Sequence, residues 1–187
     1  MKKLISLVLA LAMIACVAAG CAPATNDNKE PAAAQKIEGT MEELIGKITT
    51  EQPVEIMGGG AMALDLANAG ELPEEDFAWY IANYTGLETG NDISDGAFYE
   101  SMVGAIAFSL VAVRVNEGVD AKTVGETMKN NIDTRKWICV GADELMVAGY
   151  GDVVMLIMLD SGLGMNAQSF VDAFKTVCGA DLSFVLN

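Results

Sequence analysis

Apolar and polar positions change their period several times along this chain, and each change marks an element. Thr40-Met41-Glu42-Glu43 sets a threonine three residues ahead of a glutamate, the pattern of a capping box. Met41, Leu44, Ile45 and Ile48 follow at helical spacing, so a helix is predicted from Met41 until Pro53 stops it. Gly58-Gly59-Gly60 is a break, followed by a short apolar stretch around Met62 and Leu66. Leu72-Pro73-Glu74-Glu75-Asp76 places proline and acids where a helix begins, with Phe77, Ile81 and Tyr84 as its buried stripe. Gly86 to Gly96 reads as loop.

The second half is more sharply patterned. Ala105 to Val115 is almost continuously apolar and rich in β-branched residues, which predicts a buried strand. From Val119 to Asp133 the period shifts: Val124, Met128 and Ile132 recur every four residues, with Lys122/Glu126 and Lys129/Asp133 as opposite charges four apart on the wet side. Trp137 to Val140 is a short strand candidate. Leu145–Ala148 and Val153–Leu159 read as strands joined by the tight turn Gly149-Tyr150-Gly151-Asp152. Asn166 caps a last helix whose apolar face is Ala167, Phe170, Val171, Phe174, Val177 and Cys178, and Gly179 suits its end. The order predicts an α+β domain, a small and mainly antiparallel sheet with helices packed on one face as a two-layer sandwich.

The first 39 residues follow another pattern. Lys2 and Lys3 precede an apolar run from Leu4 to Val17, interrupted only by Ser6, and small residues then lead into Ala18-Ala19-Gly20-Cys21. This is the layout of a secretory signal, and the run falls short of the roughly 20 apolar residues that span a bilayer. Ala18-Ala19-Gly20-Cys21 resembles the lipobox of bacterial lipoproteins. The resemblance implies cleavage between Gly20 and Cys21 and diacylglycerol on the Cys21 sulfur. Two acyl chains hold a protein stably at a membrane. Cys16 is a second candidate, disfavoured because it would shorten the apolar run. Ala22 to Gly39 lacks apolar periodicity and reads as a tether with a reach of about 20–25 Å. The expected organisation is a signal over residues 1–20, lipidated cysteine and tether over 21–39, and one globular domain over 40–187.

Charge narrows the partners. Loss of Lys2 and Lys3 leaves nine basic and 26 acidic residues, a net charge of −17. Nucleic acid is excluded as a partner, because its phosphates demand lysine and arginine. Residues 37–113 hold 14 acidic residues and one basic residue, Lys47, so a cation or a basic protein of the envelope would meet this half.

The chain contains no histidine, which removes Ser-His-Asp, Cys-His and histidine-ligated zinc chemistry together. Cys139 and Cys178 sit in apolar contexts and read as core residues; a bridge between them is the alternative. Asn91-Asp92-Ile93-Ser94-Asp95-Gly96 faintly resembles a calcium loop but has Ile93 and Met102 where ligands belong, so helix capping is preferred. Gly58-Gly59-Gly60 lacks the lysine and hydroxyl of a phosphate loop. Arg135-Lys136-Trp137 joins two cations to an aromatic at an expected helix end, where they serve the helix dipole and the core or form a contact patch for a partner.

Three segments carry a wider resemblance: Ser109-Leu110-Val111-Ala112-Val113-Arg114-Val115; Ile132-Asp133-Thr134-Arg135-Lys136-Trp137-Ile138-Cys139-Val140; and Gly151-Asp152-Val153-Val154-Met155-Leu156-Ile157. With the Tyr84-Thr85-Gly86-Leu87 region, they are similar to a family of Gram-positive bacterial lipoproteins known only as a domain of unknown function. The resemblance implies a compact α+β domain on the outer face of the cell membrane, and carries over no catalytic residues or cofactor. The expected role is a non-enzymatic binding or accessory module. The alternatives are a cell-envelope hydrolase or transferase using paired carboxylates, and a calcium-dependent module.

Overall fold

The strands Phe108–Val115 and Val153–Leu159 are buried at every position, and such strands need cover on both sides. They lie at the centre of the sheet. The computed structural model describes residues 36–67 and 71–187. In chain order the elements are α1 (Met41–Glu51), β1 (Gly59–Ala63), α2 (Glu74–Thr85), β2 (Ile93–Ser101), β3 (Phe108–Val115), α3 (Ala121–Asn131), β4 (Glu144–Tyr150), β5 (Val153–Leu159), α4 (Ala167–Cys178) and β6 (Phe184–Leu186). The strands form one sheet in the order β1-β2-β3-β5-β4-β6, every pairing antiparallel.

The α+β class and the antiparallel sheet are as the sequence implied. The layering differs: helices cover both faces. Phe108, Leu110 and Ala112 of β3 and Met155, Ile157 and Leu159 of β5 share a core with Met41, Leu44, Ile45 and Ile48 of α1 and Phe170, Val171 and Phe174 of α4. The alternate residues Val111, Val113, Val154, Leu156 and Met158 pack with Ile81 of α2 and Val124 and Met128 of α3. A one-sided sheet would show polar residues at every second position; here both sets are apolar.

The helix starts are set by side chains. Thr40 and Glu43 form the expected capping box. Asp120 accepts from Thr123 N and Asn166 from Ser169 N. Two acids reach across the fold for the same purpose: Asp95 of β2 accepts from Met41 N at 2.9 Å, and Glu144 of β4 accepts from Ala167 N at 2.6 Å. Part of the acidic excess therefore answers the positive ends of helices. Gly86 and Gly179 close α2 and α4 in the left-handed conformation. At Gly86 a Cβ would also lie 2.6 Å from Met128 O, so no other residue fits there.

Several expected elements change. Residues 86–96 are not all loop, because β2 begins at Ile93; its Ser94, Asp95 and Gly96 disguise the strand, and the β2–β3 register shifts there. The break at Gly58-Gly59-Gly60 runs into β1, held by pairing with β2 rather than by strand propensity. Trp137–Val140 is a bend instead of a strand, and Cys139 has φ 63. α3 ends at Asn131, so Asp133 lies beyond it and accepts from Arg135 N; only Lys122–Glu126 forms the expected ion pair, at 3.8 Å and exposed.

The chain enters the domain slightly ahead of Thr40. Arg114, near the end of β3, donates through Nη1 to Asp152 at 2.9 Å and through Nη2 to Ile37 O at 2.8 Å and Gly39 O at 3.0 Å. Ile37 packs against the α1–α4 core. Half-burial of an isoleucine contributes about 1 kcal/mol. A chain starting at Gly39 should therefore melt roughly 2–4 °C below one starting at Lys36. Coincident melting curves would show that residues 36–38 add nothing.

Candidate functional site

The turn after α3 separates the residues of Arg135-Lys136-Trp137. Arg135 is exposed. Lys136 turns inward, its side chain only 6% accessible, and donates to Asn83 O at 2.8 Å and to Glu100 Oε1. Glu100 Oε1 also accepts from Ser109 Oγ at 2.6 Å. The ammonium lies 5.1 Å from the Tyr84 ring centre and 5.5 Å from that of Trp137. Tyr84 in turn stacks on Phe98 with ring centres 3.9 Å apart. The tripeptide is thus one exposed cation beside a buried ionic cluster, not a surface patch.

Burial pushes the Lys136 ammonium below its ordinary range, against the opposing pull of Glu100. The Tyr84 hydroxyl is pushed up, first by burial and then by the Glu100 charge. Ser109 is fully buried, so this cluster of serine, lysine and carboxylate is closed to a substrate. Its chemistry is that of a satisfied internal ion pair.

Other sequence candidates are placed as follows. Gly20 and Cys21 lie outside the described residues. Cys139 and Cys178 are both free thiols. Cys139 is exposed rather than in the core. Cys178 is half-buried, and burial pushes its thiol up to about 12, which leaves it unreactive at neutral pH. In the Asn91–Gly96 segment, Asn116 donates to Asn91 O and to Asp92 O, while Asp95 caps α1. Among the described residues no group of three acids or cysteines is arranged to hold a metal ion. An open cleft of about 510 Å³ includes Ser94, Arg114, Asn116 and Asp152, but the Arg114 guanidinium there is already engaged by Asp152 and two carbonyls.

The informative surface was not singled out by the sequence. Among the described residues the large exposed apolar side chains are Met57, Met62, Leu72, Trp79, Met102, Val103, Ile138 and Val185. The first six fall inside the stretch that carries 14 acids and one base. Trp79 is 68% accessible and Met102 85%. β1 runs through this region as an edge of the sheet, and Tyr80 accepts from Asp65 N at 3.1 Å just after it. The signal in the sequence was Gly59-Gly60-Ala61-Met62-Ala63, a stretch without charge between Glu55 and Asp65.

Comparison with protein-family profiles, with curated proteins and with solved structures finds no match for this chain.

Proposed function

We propose that this chain is a lipoprotein anchored through Cys21 to the outer face of the cell membrane, and that its folded part is a binding or accessory module. The Ala18-Ala19-Gly20-Cys21 boundary after a charged and then apolar start carries the reading. Among the described residues the first to touch the core is Ile37, sixteen positions after Cys21 in the sequence. The proposed family, that of the Gram-positive lipoproteins named above, accords with such an anchored α+β domain.

The binding role is preferred to catalysis on the placement of the acids. Paired-carboxylate chemistry needs two acids facing across a cleft, one with its pKa raised. The inward acid of the sheet, Glu100, faces a lysine and a serine. The carboxyls that do shift, Asp120, Asp143 and Asp181, are all lowered, chiefly by hydrogen bonds from Thr123, Ser161 and Lys175. Cys21→Ser should abolish labelling by a radiolabelled or alkyne fatty acid and release the protein from membranes, or leave an unprocessed precursor. Labelling that survives Cys21→Ser but not Cys16→Ser would overturn the assignment.

A further inference from the structure

The outer edge of β1 is open among the described residues. β1 pairs with β2 and with no other described strand. Gly58 O accepts from Met102 N, and Leu64 N donates to Gly96 O. Alternation along the strand then turns Gly58, Gly60, Met62 and Leu64 toward β2. The N–H and C=O groups of Gly59, Ala61 and Ala63 point outward. Edge strands are ordinarily blunted by lysine, by proline or by an inward-pointing charge. Gly59-Gly60-Ala61-Met62-Ala63 has none of these.

Two further features sit beside that edge. Met62 is half-exposed on the face that α2 covers, opposite Phe98 in the register. Where β1 ends, a hollow of about 240 Å³ is lined by Asp65, Glu71, Leu72 and Tyr80. It offers an apolar and aromatic wall and the exposed Glu71 carboxylate. A lysine or arginine side chain has the matching form, an apolar stem with a charged head. Glu55 precedes the strand and extends the negative potential along it.

From these juxtapositions we propose that β1 receives an extended, cationic segment of another envelope polypeptide by antiparallel or parallel strand addition. Main-chain bonds to Gly59, Ala61 and Ala63 hold the segment. A basic side chain enters the hollow beside Glu71, and apolar side chains meet Met62. Methionine suits such a surface because its flexible thioether adapts to different side chains. The inference deepens the binding-module reading and rests on it. Charge selects the occupant. A second copy of this chain would bring together two surfaces that each carry 14 acids and one base over residues 37–113, and such surfaces repel. A basic segment neutralises that charge.

The test uses the full chain as it is expressed, in neutral detergent, and three synthetic heptapeptides. One is Lys-Val-Lys-Val-Lys-Val-Lys. The second replaces each lysine by glutamate. The third is the lysine peptide N-methylated at every residue, which keeps its charge but has no backbone N–H on either edge to donate to a sheet. Binding is read by fluorescence anisotropy. The lysine peptide should bind saturably and lose affinity with salt. The glutamate and N-methylated peptides should bind weaker by roughly tenfold or more, the scale of one or two lost hydrogen bonds with a charged partner. Ala61→Pro removes an outward N–H without touching the β2 ladder, and should reduce binding by a similar factor while melting near the parent. Glu71→Lys, an exposed substitution, should do so too. Equal binding of the N-methylated peptide, or of Ala61→Pro, would overturn strand addition in favour of diffuse charge attraction. Concentration-dependent dimers abolished by Ala61→Pro would assign the edge to a second copy instead. No binding by any peptide would also overturn the proposal. Peptide capture and Cys21 labelling fail separately: capture without labelling removes the anchor and leaves the edge, and labelling without capture does the reverse.

Discussion

Phe174→Ala lowers the stability of the domain by about 3–5 kcal/mol, the usual cost of removing a buried ring and leaving its cavity. The side chain is fully buried, on the face of α4 that meets α1 and the sheet. It shares that layer with Phe170, which packs 5.5 Å from Phe108 of β3 between ring centres. Neighbours drawn from two helices and several strands cannot all close on the space left behind. The melting temperature should fall by roughly 6–20 °C. Small domains hold about 5–15 kcal/mol in total, so poor expression is a further expected result. A shift of less than about 2 °C would mean that the ring contributes little to packing.

Lys136→Met is expected to cost about 3 kcal/mol or more, because it strands the Glu100 carboxylate between α2 and the sheet with Ser109 as its remaining side-chain donor. Methionine approximates the volume of lysine, so the loss reports charge rather than space. Glu100→Gln in the same chain removes the uncompensated charge while keeping an acceptor for Ser109 Oγ. The double variant should recover most of the lost stability. Urea denaturation of the four chains gives the coupling directly. Additive effects of the two changes would show that the pair is not coupled and that Lys136 acts through its stem alone.

The parts of the fold legible in the sequence are those governed by local rules. α1 was announced by Thr40 and Glu43, α4 by Asn166 and Gly179, and the β4–β5 hairpin by Gly151, which sits at φ 61 in a two-residue connection. The two-sided cover was also present in the apolar runs of β5 and, apart from Ser109 and Arg114, of β3, but a helix count alone does not say which face each helix takes. What stayed hidden depends on partners far away in the chain. β1 and β6 are strands because β2 and β4 lie beside them, not because glycine and alanine or a three-residue tail favour extension. Lys136 looked like a surface cation because nothing near it in sequence shows that Glu100, 36 residues earlier, faces it. The exposed edge of β1 was invisible for the same reason: an edge is defined by the strand that is not there. The acylation proposed at Cys21 is the opposite case, since it rests on the sequence alone.

Arg114 also decides how the domain takes a mechanical load. Its guanidinium holds Ile37 and Gly39, so tension on the chain ahead of Ile37 is passed to β3, the third strand in the sheet order, and not to either margin of the sheet. A margin strand yields by unzipping, one hydrogen bond after another. A central strand resists in shear, since β3 must slide past β2 and β5 together while both apolar layers grip it. Forced unfolding follows the height of the barrier to the first rupture. Under the anchoring proposed above, a pull on the chain ahead of Ile37 reaches the sheet at β3 before it reaches β1.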